Sequence, residues 1–219
     1  MSAALEDGLR LEGVRIAQGG RMLLSIDAHI RPGAILTVMG PSGSGKSTLL
    51  SAIIGAVAPG FDVSGRVRLD GRDLSGLAPQ HRRVGILFQD DALFAHLSVG
   101  GNLAFALPPS VKGRAARWAR VAAALADAEL DGFADRDPAT LSGGQRARAA
   151  LMRTLLAEPR ALLLDEPFSR LDASLRAQIR AFVFRRAAER RLPVLLVTHD
   201  AEDARAAGGA IVTLAGGAR

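Results

Sequence analysis

Gly40-Pro41-Ser42-Gly43-Ser44-Gly45-Lys46-Ser47, followed by Thr48, fits the spacing G-x-x-x-x-G-K-[ST]. Glycines so placed let backbone N–H groups turn inward around phosphate oxygens, and a helix that follows points the positive end of its dipole at them. Lys46 would reach the β- and γ-phosphates of a nucleotide, and the Ser47 hydroxyl suits Mg²⁺. A second candidate group closes the apolar run Ala161-Leu162-Leu163-Leu164 with Asp165 and Glu166. At a strand tip beside a phosphate loop, one carboxylate can orient a metal's hydration shell while the other takes a proton from an attacking water. Asp-Glu-Pro is also ordinary turn chemistry, and a Gly/Ser-rich turn need bind nothing. The two segments in one chain favour the phosphate reading.

The flanking sequence supplies the elements such chemistry needs. Residues 34–39 are a short apolar run, as in a strand buried on both faces, and lead straight into the loop; a helical pattern follows to about Val57. Residues 9–16 and 22–30 read as strands around a Gly19-Gly20 turn. Further strands are predicted at 66–69, 84–88, 161–165, 194–198 and 210–214. Helices are predicted through Trp118 to Leu130, from Gly143 to about Leu156, and from about Ala173 to Arg190. Between 92 and about 140 the pattern turns Ala-rich and helical, broken at Pro108-Pro109, as in a helical lobe inserted into an α/β domain. Alternating strands and helices imply a mostly parallel sheet.

The 219 residues suit one such domain. The chain has no cysteine, which excludes disulfides and thiolate metal sites and fits a reducing compartment. Met1 to Arg10 lacks the apolar core of a signal peptide, and no stretch approaches eighteen uncharged apolar residues. A pI near 11.1 raises the question of nucleic acid. The formal charge is only +6, however, and the arginines (Arg114, Arg117 and Arg120; Arg176 and Arg180; Arg186, Arg190 and Arg191) alternate with alanine, without the aromatics that stack bases. A solvated helix face is the better reading, and no nucleic-acid partner is expected.

Leu141-Ser142-Gly143-Gly144-Gln145 follows, with Ser142 lying 96 residues after Lys46 and 23 before Asp165. Here the chain resembles ABC ATPases, whose signature motif reads the same; the likeness spans about residues 9–214. Gln89 (Q-loop), Ser169-Arg170-Leu171-Asp172 (D-loop) and Val197-Thr198-His199-Asp200 (H-loop) come in the family's order. The stretches 86–99, 137–148 and 164–172 are similar to importer ATPases of the thiamine, iron and sulfate type and to the short YnjD-type subunits. The resemblance implies a P-loop NTPase core with a mostly parallel sheet, a small antiparallel β part and an inserted α-helical lobe. The implied boundaries are a core lobe at about 1–90 and 143–219 and a helical lobe at about 91–142, within one domain, 1–219.

It further implies an ATPase that uses ATP and Mg²⁺. Gly40 to Thr48 would bind the nucleotide, with Ser47, Gln89 and Asp165 at the metal. Lys46, Gln89, Glu166 and His199 would serve the chemistry. Ser142, Gly143, Gly144 and Gln145 would close on the γ-phosphate of the opposite subunit, and Asp172 would report across that dimer. On the residues alone, Ser142 and Gln145 also make a good capping box, Asp172 can simply start a helix, and Gln89 or His199 can be an ordinary loop or strand-end residue. The implied partners are a second copy, transmembrane permease subunits and a solute-binding protein, with the subunit on the cytoplasmic face of the membrane. Lipoprotein release, cell-division signalling or a nucleotide-gated module without turnover are the alternatives; an intact Glu166 speaks against the last. Three departures stand out. The chain stops soon after residue 214, so the regulatory domain of sugar and sulfate importers is not expected. Arg170 replaces the usual small D-loop residue. Ile16, Ala17 and Gln18 offer no ring where an adenine-stacking aromatic is expected, so discrimination between ATP and GTP should be weak.

Overall fold

The computed structural model describes residues 7–90 and 92–214. Residues 1–6, part of the stretch read as lacking a signal peptide, lie outside the described residues, as do Asp91 and 215–219. In chain order the elements are β1 (Leu9–Gln18), β2 (Arg21–Ile30), β3 (Ile35–Met39), α1 (Lys46–Ile54), β4 (Phe61–Leu69), β5 (Arg72–Asp73) and β6 (Val84–Leu87). There follow α2 (Val99–Ala106), α3 (Arg114–Asp127), α4 (Gly143–Leu156), β7 (Ala161–Asp165), α5 (Ala173–Glu189), β8 (Val194–Thr198), α6 (Ala201–Ala207) and β9 (Ala210–Thr213). They divide into two compact units. The first comprises residues 7–84, 160–166 and 184–214; the second comprises residues 85–159 and 167–183, without Asp91.

In the first unit, parallel strands run in the order β7-β8-β3-β9. Ile35 and Leu162 both register with Val194, and Leu36 registers with Ala210. Every residue of β8 is buried, as are the first four of β7, which is why these strands read as unbroken apolar runs. The antiparallel sheet, β2-β1-β4-β5, shows the other pattern: Leu9, Leu11, Val14 and Ile16 of β1 are buried while Gly13 and Arg15 face water. β1 pairs with β2 from Leu9↔Ile30 to Gln18↔Arg21 across the predicted turn, and with β4 from Leu9↔Leu69 to Gln18↔Phe61. β4 therefore begins five residues earlier than the predicted 66–69. Residues 62–66 are all exposed, so no burial pattern announced the extension.

Helix α1 stops at Ile54, short of the predicted Val57, because Gly55 turns left-handed at φ 80° and its N–H closes back on Ala52 and Ser51. The Arg82 guanidinium then donates to the Ala52 and Ile53 carbonyls, a cation placed at the negative end of the helix dipole. Helix α6 was absent from the sequence reading. It is one short Ala-rich stretch, Ala201–Ala207, started by Asp200, whose carboxylate accepts from the Glu202 and Asp203 amides.

In the second unit α2 packs on α3 and α4, and Val99, Leu103, Val121, Leu125, Ala147 and Leu151 on these helices are all buried. Asn102 lies at the centre with no exposed surface. Its Oδ1 accepts from the Phe94 amide at 2.7 Å, and its Nδ2 donates to the carbonyls of Phe94, Leu97 and Ser98. One buried amide thus satisfies an irregular segment that has no ladder of its own. Arg117, one of the arginines read as solvated, instead donates to Ala104 O and Val111 O.

Candidate functional site

Residues 40–45 connect β3 to α1, and two glycines there are dictated by geometry. Gly45 sits at φ 85°, and a Cβ on it would come within 3.1 Å of Leu24. A Cβ on Gly40 would meet Ser44 Oγ at 3.0 Å and Leu214 at 3.1 Å. Gly45 gives α1 no side-chain cap, so the first N–H groups of the helix are left to another acceptor. Ser44 Oγ is buried without a hydrogen-bond partner. Lys46 is almost wholly buried, and its Nζ donates to Gly40 O and Pro41 O, both at 2.8 Å. A cation, bare amides and an unpartnered hydroxyl converge on one small loop, an arrangement that suits an anion.

At the end of β7, Asp165 Oδ1 accepts from Ser47 Oγ at 3.1 Å, joining residues 118 positions apart. Burial pushes the Asp165 carboxyl above the usual Asp range, with neighbouring Glu166 adding to the effect; the Ser47 hydrogen bond and the Lys46 charge pull the other way. Glu166 holds a left-handed backbone at φ 46°, and its N–H donates to Val197 O at 2.9 Å. Its Oε2 lies 3.1 Å from His199 Nδ1. A strained non-glycine residue just past the end of β7, held by a hydrogen bond to β8, marks a position that the surroundings over-determine. Behind His199, Thr198 Oγ1 donates to the buried Asp203 carboxylate at 3.4 Å and accepts from the Asp200 amide at 3.0 Å. These two aspartates fix the exit of β8; Asp200 belongs to the H-loop stretch, whereas Asp203 lies outside every motif in the sequence.

A cavity of about 290 Å³ is lined by Ser42, Gly43 and Gly45 to Thr48 together with Glu166. Gln18, Leu23 and Phe61 complete its wall. Of the slot residues expected near the base, only Gln18 lines it; Ile16 is fully buried in the core. The aromatic residue of the wall is instead Phe61, brought beside Gln18 by the pairing of β1 with β4.

The remaining predicted residues belong to the second unit. Ser142 and Gln145 form a complete capping box on α4, with Gln145 N donating to Ser142 Oγ and Ser142 N to Gln145 Oε1. Gly144 packs closely on α5: a Cβ there would lie 2.6 Å from a Leu175 methyl, which would have to move aside. Asp172 Oδ1 accepts from Leu175 N and Ser174 Oγ at the start of α5, and these bonds hold its carboxyl below the usual range. Gln89 is exposed and lines a cavity of about 360 Å³ with Leu93, Ala95, Gly143, Arg146 and Leu171. Arg170 pairs with Asp90, the neighbour of Gln89. The site residues are therefore gathered in two groups: 40–48, 165, 166 and 199 in the first unit, and 89, 142–145 and 172 in the second.

The family model for ABC transporters matches residues 23–169, about two thirds of the chain. The chain belongs to the ABC transporter family. This ABC ATPase is 51% identical to the uncharacterized ABC transporter ATP-binding protein YnjD of Escherichia coli K12, over 84% of each chain. It is 47% identical to the thiamine import ATP-binding protein ThiQ of Cereibacter sphaeroides, over 90% of this chain and 84% of that one. With the sulfate/thiosulfate import ATP-binding protein CysA of Thermosynechococcus vestitus it shares 42% identity over 94% of its own length and 61% of the relative's. Among solved structures, it matches the ATP-binding cassette MJ0796, a dimer in a post-hydrolysis state bound to ADP and Pi. The TM-score is 0.78 at 31% identity, over 95% of both chains. The protein is thus the ATP-binding and ATP-hydrolysing subunit of an ABC transporter, as its phosphate loop and signature motif implied. Among the described residues no helix is long and apolar enough to cross a membrane.

Proposed function

We propose that this subunit is the motor of a solute importer: two copies sandwich two ATP–Mg²⁺, hydrolyse ATP, and drive a permease served by a solute-binding protein, from the cytoplasmic face of the membrane. The observation that carries the chemistry is one cavity lined by Lys46, Ser47 and Glu166, with Asp165 hydrogen-bonded to Ser47 at its edge. The names of the thiamine and sulfate import relatives support the transport direction, and the dimeric MJ0796 structure supports the sandwich.

In this reading Gly40, Pro41, Ser42, Gly43, Ser44 and Gly45 wrap the β- and γ-phosphates, and Lys46 exchanges its two carbonyl partners for phosphate oxygens. The Ser47 hydroxyl and the Asp165 carboxylate are hard oxygen donors that fit Mg²⁺, with Gln89 as a further contact. No group of three or more His, Cys, Asp or Glu able to hold a metal occurs among the described residues, so the ion would come with the phosphates that complete its shell. When bound, Mg²⁺ supplies charge neutralisation at the phosphate oxygens. Glu166 accepts a proton from water as the new O–P bond forms at the γ-phosphorus and the bond to the bridging oxygen breaks, leaving ADP and inorganic phosphate. His199, 3.1 Å from Glu166, orients that carboxylate. Ser142, Gly143, Gly144 and Gln145 present the start of α4 to the γ-phosphate of the opposite subunit, next to Asp172. The cavity bounded by Gln89, Leu93 and Leu171 receives a short helix of the permease.

Glu166→Gln tests the chemistry. ATP binding should persist while hydrolysis falls at least about a hundredfold, the usual range for losing a general base. The variant should also accumulate an ATP-bound dimer on size exclusion. Hydrolysis at the parental rate would remove Glu166 from the role of base.

A further inference from the structure

The cavity at the phosphate loop has one aromatic wall, and it comes from β4. Phe61 is half-buried and opens that strand, ahead of five exposed residues; the core of the strand is carried instead by Val67 and Leu69. The ring is therefore not explained by packing of the antiparallel sheet. Its Cα partner on β1 is Gln18, and both residues line the cavity that Lys46, Ser47 and Thr48 also line. The other rings lie elsewhere: the chain has no tyrosine, Trp118 belongs to the second unit, and Phe184 borders a different cavity. Phosphate-binding groups at one part of a cavity and a single flat apolar face at another suit a ligand that is a phosphate chain ending in a planar ring.

We propose that Phe61 is the stacking face for the nucleobase, with the Gln18 amide meeting the base edge. This deepens the nucleotide reading and rests on it. Stacking on a ring is tolerant of base identity, because every base has a π-face, and a single amide that both donates and accepts discriminates little. ATP and GTP should therefore bind within about tenfold of one another, and removal of the ring should weaken both. An aromatic under a base typically contributes a factor of roughly 5 to 150 in affinity.

The test is calorimetric titration of the full-length subunit with MgATP, MgGTP and inorganic triphosphate with Mg²⁺, which has the phosphates but no ring. Phe61→Ala should weaken MgATP and MgGTP at least fivefold and leave inorganic triphosphate within twofold of the parent. Phe61→Leu, which keeps most of the apolar volume in case alanine disturbs the strand, should show the same split. Phe61→Trp should retain ATP affinity and give tryptophan fluorescence that MgATP changes and inorganic triphosphate does not. ATP affinity within twofold of the parent in Phe61→Ala would overturn the proposal, as would an equal loss of both ligands in the alanine and leucine variants. A parent that binds neither MgATP nor inorganic triphosphate would instead defeat the nucleotide reading itself.

Discussion

Asp165 shows at the scale of one residue how a site is maintained against stability. Its carboxyl lies in a partly buried position that pushes its pKa up, while Ser47 and Lys46 only partly compensate. A folded-state value above the unfolded one means that the contribution to stability is fully present below the ordinary Asp value and is lost as pH rises through the raised folded value. At neutral pH the ionised carboxylate is therefore a small burden on the ligand-free subunit. Asp165→Asn should raise the melting temperature at pH 7 by about 1–3 °C, the scale of a fraction of a kcal/mol in a chain of this size, and the gain should shrink towards pH 4. The same variant should lose Mg²⁺-dependent hydrolysis. Thermal scans at pH 4 and pH 7 check the first half; a variant that melts lower than the parent at pH 7 would contradict it.

At the scale of elements, the sequence was legible where burial imposed a pattern and silent where it did not. β7, β8 and α4 begin and end where they were read, because two are apolar runs buried throughout most of their length and the third carries a capping box. The first five residues of β4 and the whole of α6 are harder to read, because the alternation Phe61-Asp62-Val63-Ser64 is short and stops at Gly65, and the seven residues of α6 span too few turns to show a helical period. That is also why the ring of Phe61 was missed: its place beside Gln18 depends on a pairing between segments 43 residues apart, which no local pattern encodes. Ser47, Asp165 and Glu166 could be grouped in advance because a strand tip and a phosphate loop have fixed places in an α/β sheet. Asn102 is the converse case, an ordinary-looking polar residue on which a whole segment depends. Its amide holds the backbone of Phe94, Leu97 and Ser98 from the middle of the α2 packing. Asn102→Leu would remove four hydrogen bonds from this half-buried segment, including those to the Phe94 amide and the Leu97 carbonyl, and should cost about 2–3 kcal/mol. The expected signature is a melting temperature lower by several degrees, together with weaker stimulation by the permease, because Leu93 of the same segment borders the cavity proposed to receive it. Unchanged melting would mean that the segment is held by something else.

At the scale of the whole molecule, the two groups of site residues make a prediction about stoichiometry. Lys46, Ser47, Asp165 and Glu166 belong to one unit and Ser142 to Gln145 to the other. If each ATP is held by the phosphate loop of one copy and the signature motif of its partner, every active site is shared between two chains. Lys46→Ala destroys the phosphate loop, and Ser142→Arg fills the start of α4 with a bulky cation and removes its capping hydroxyl. Either homodimer then has two broken sites and should be inactive. In a mixed dimer, the intact phosphate loop of the Ser142→Arg copy meets the intact motif of the Lys46→Ala copy, while the other site carries both defects. Equal mixing makes about half of the dimers mixed, each with one sound site of two, so turnover should recover to at most about a quarter of the parental value. A requirement for two working sites would lower that figure, but any recovery above the sum of the separate variants requires sharing. Hydrolysis should be measured over a series of mixing ratios with permease present, where a shared site gives a maximum near one to one. A flat response at the level of the inactive parents, with mixed dimers demonstrated by differential tags and ATP binding retained by the Ser142→Arg copies, would place the complete site within a single chain.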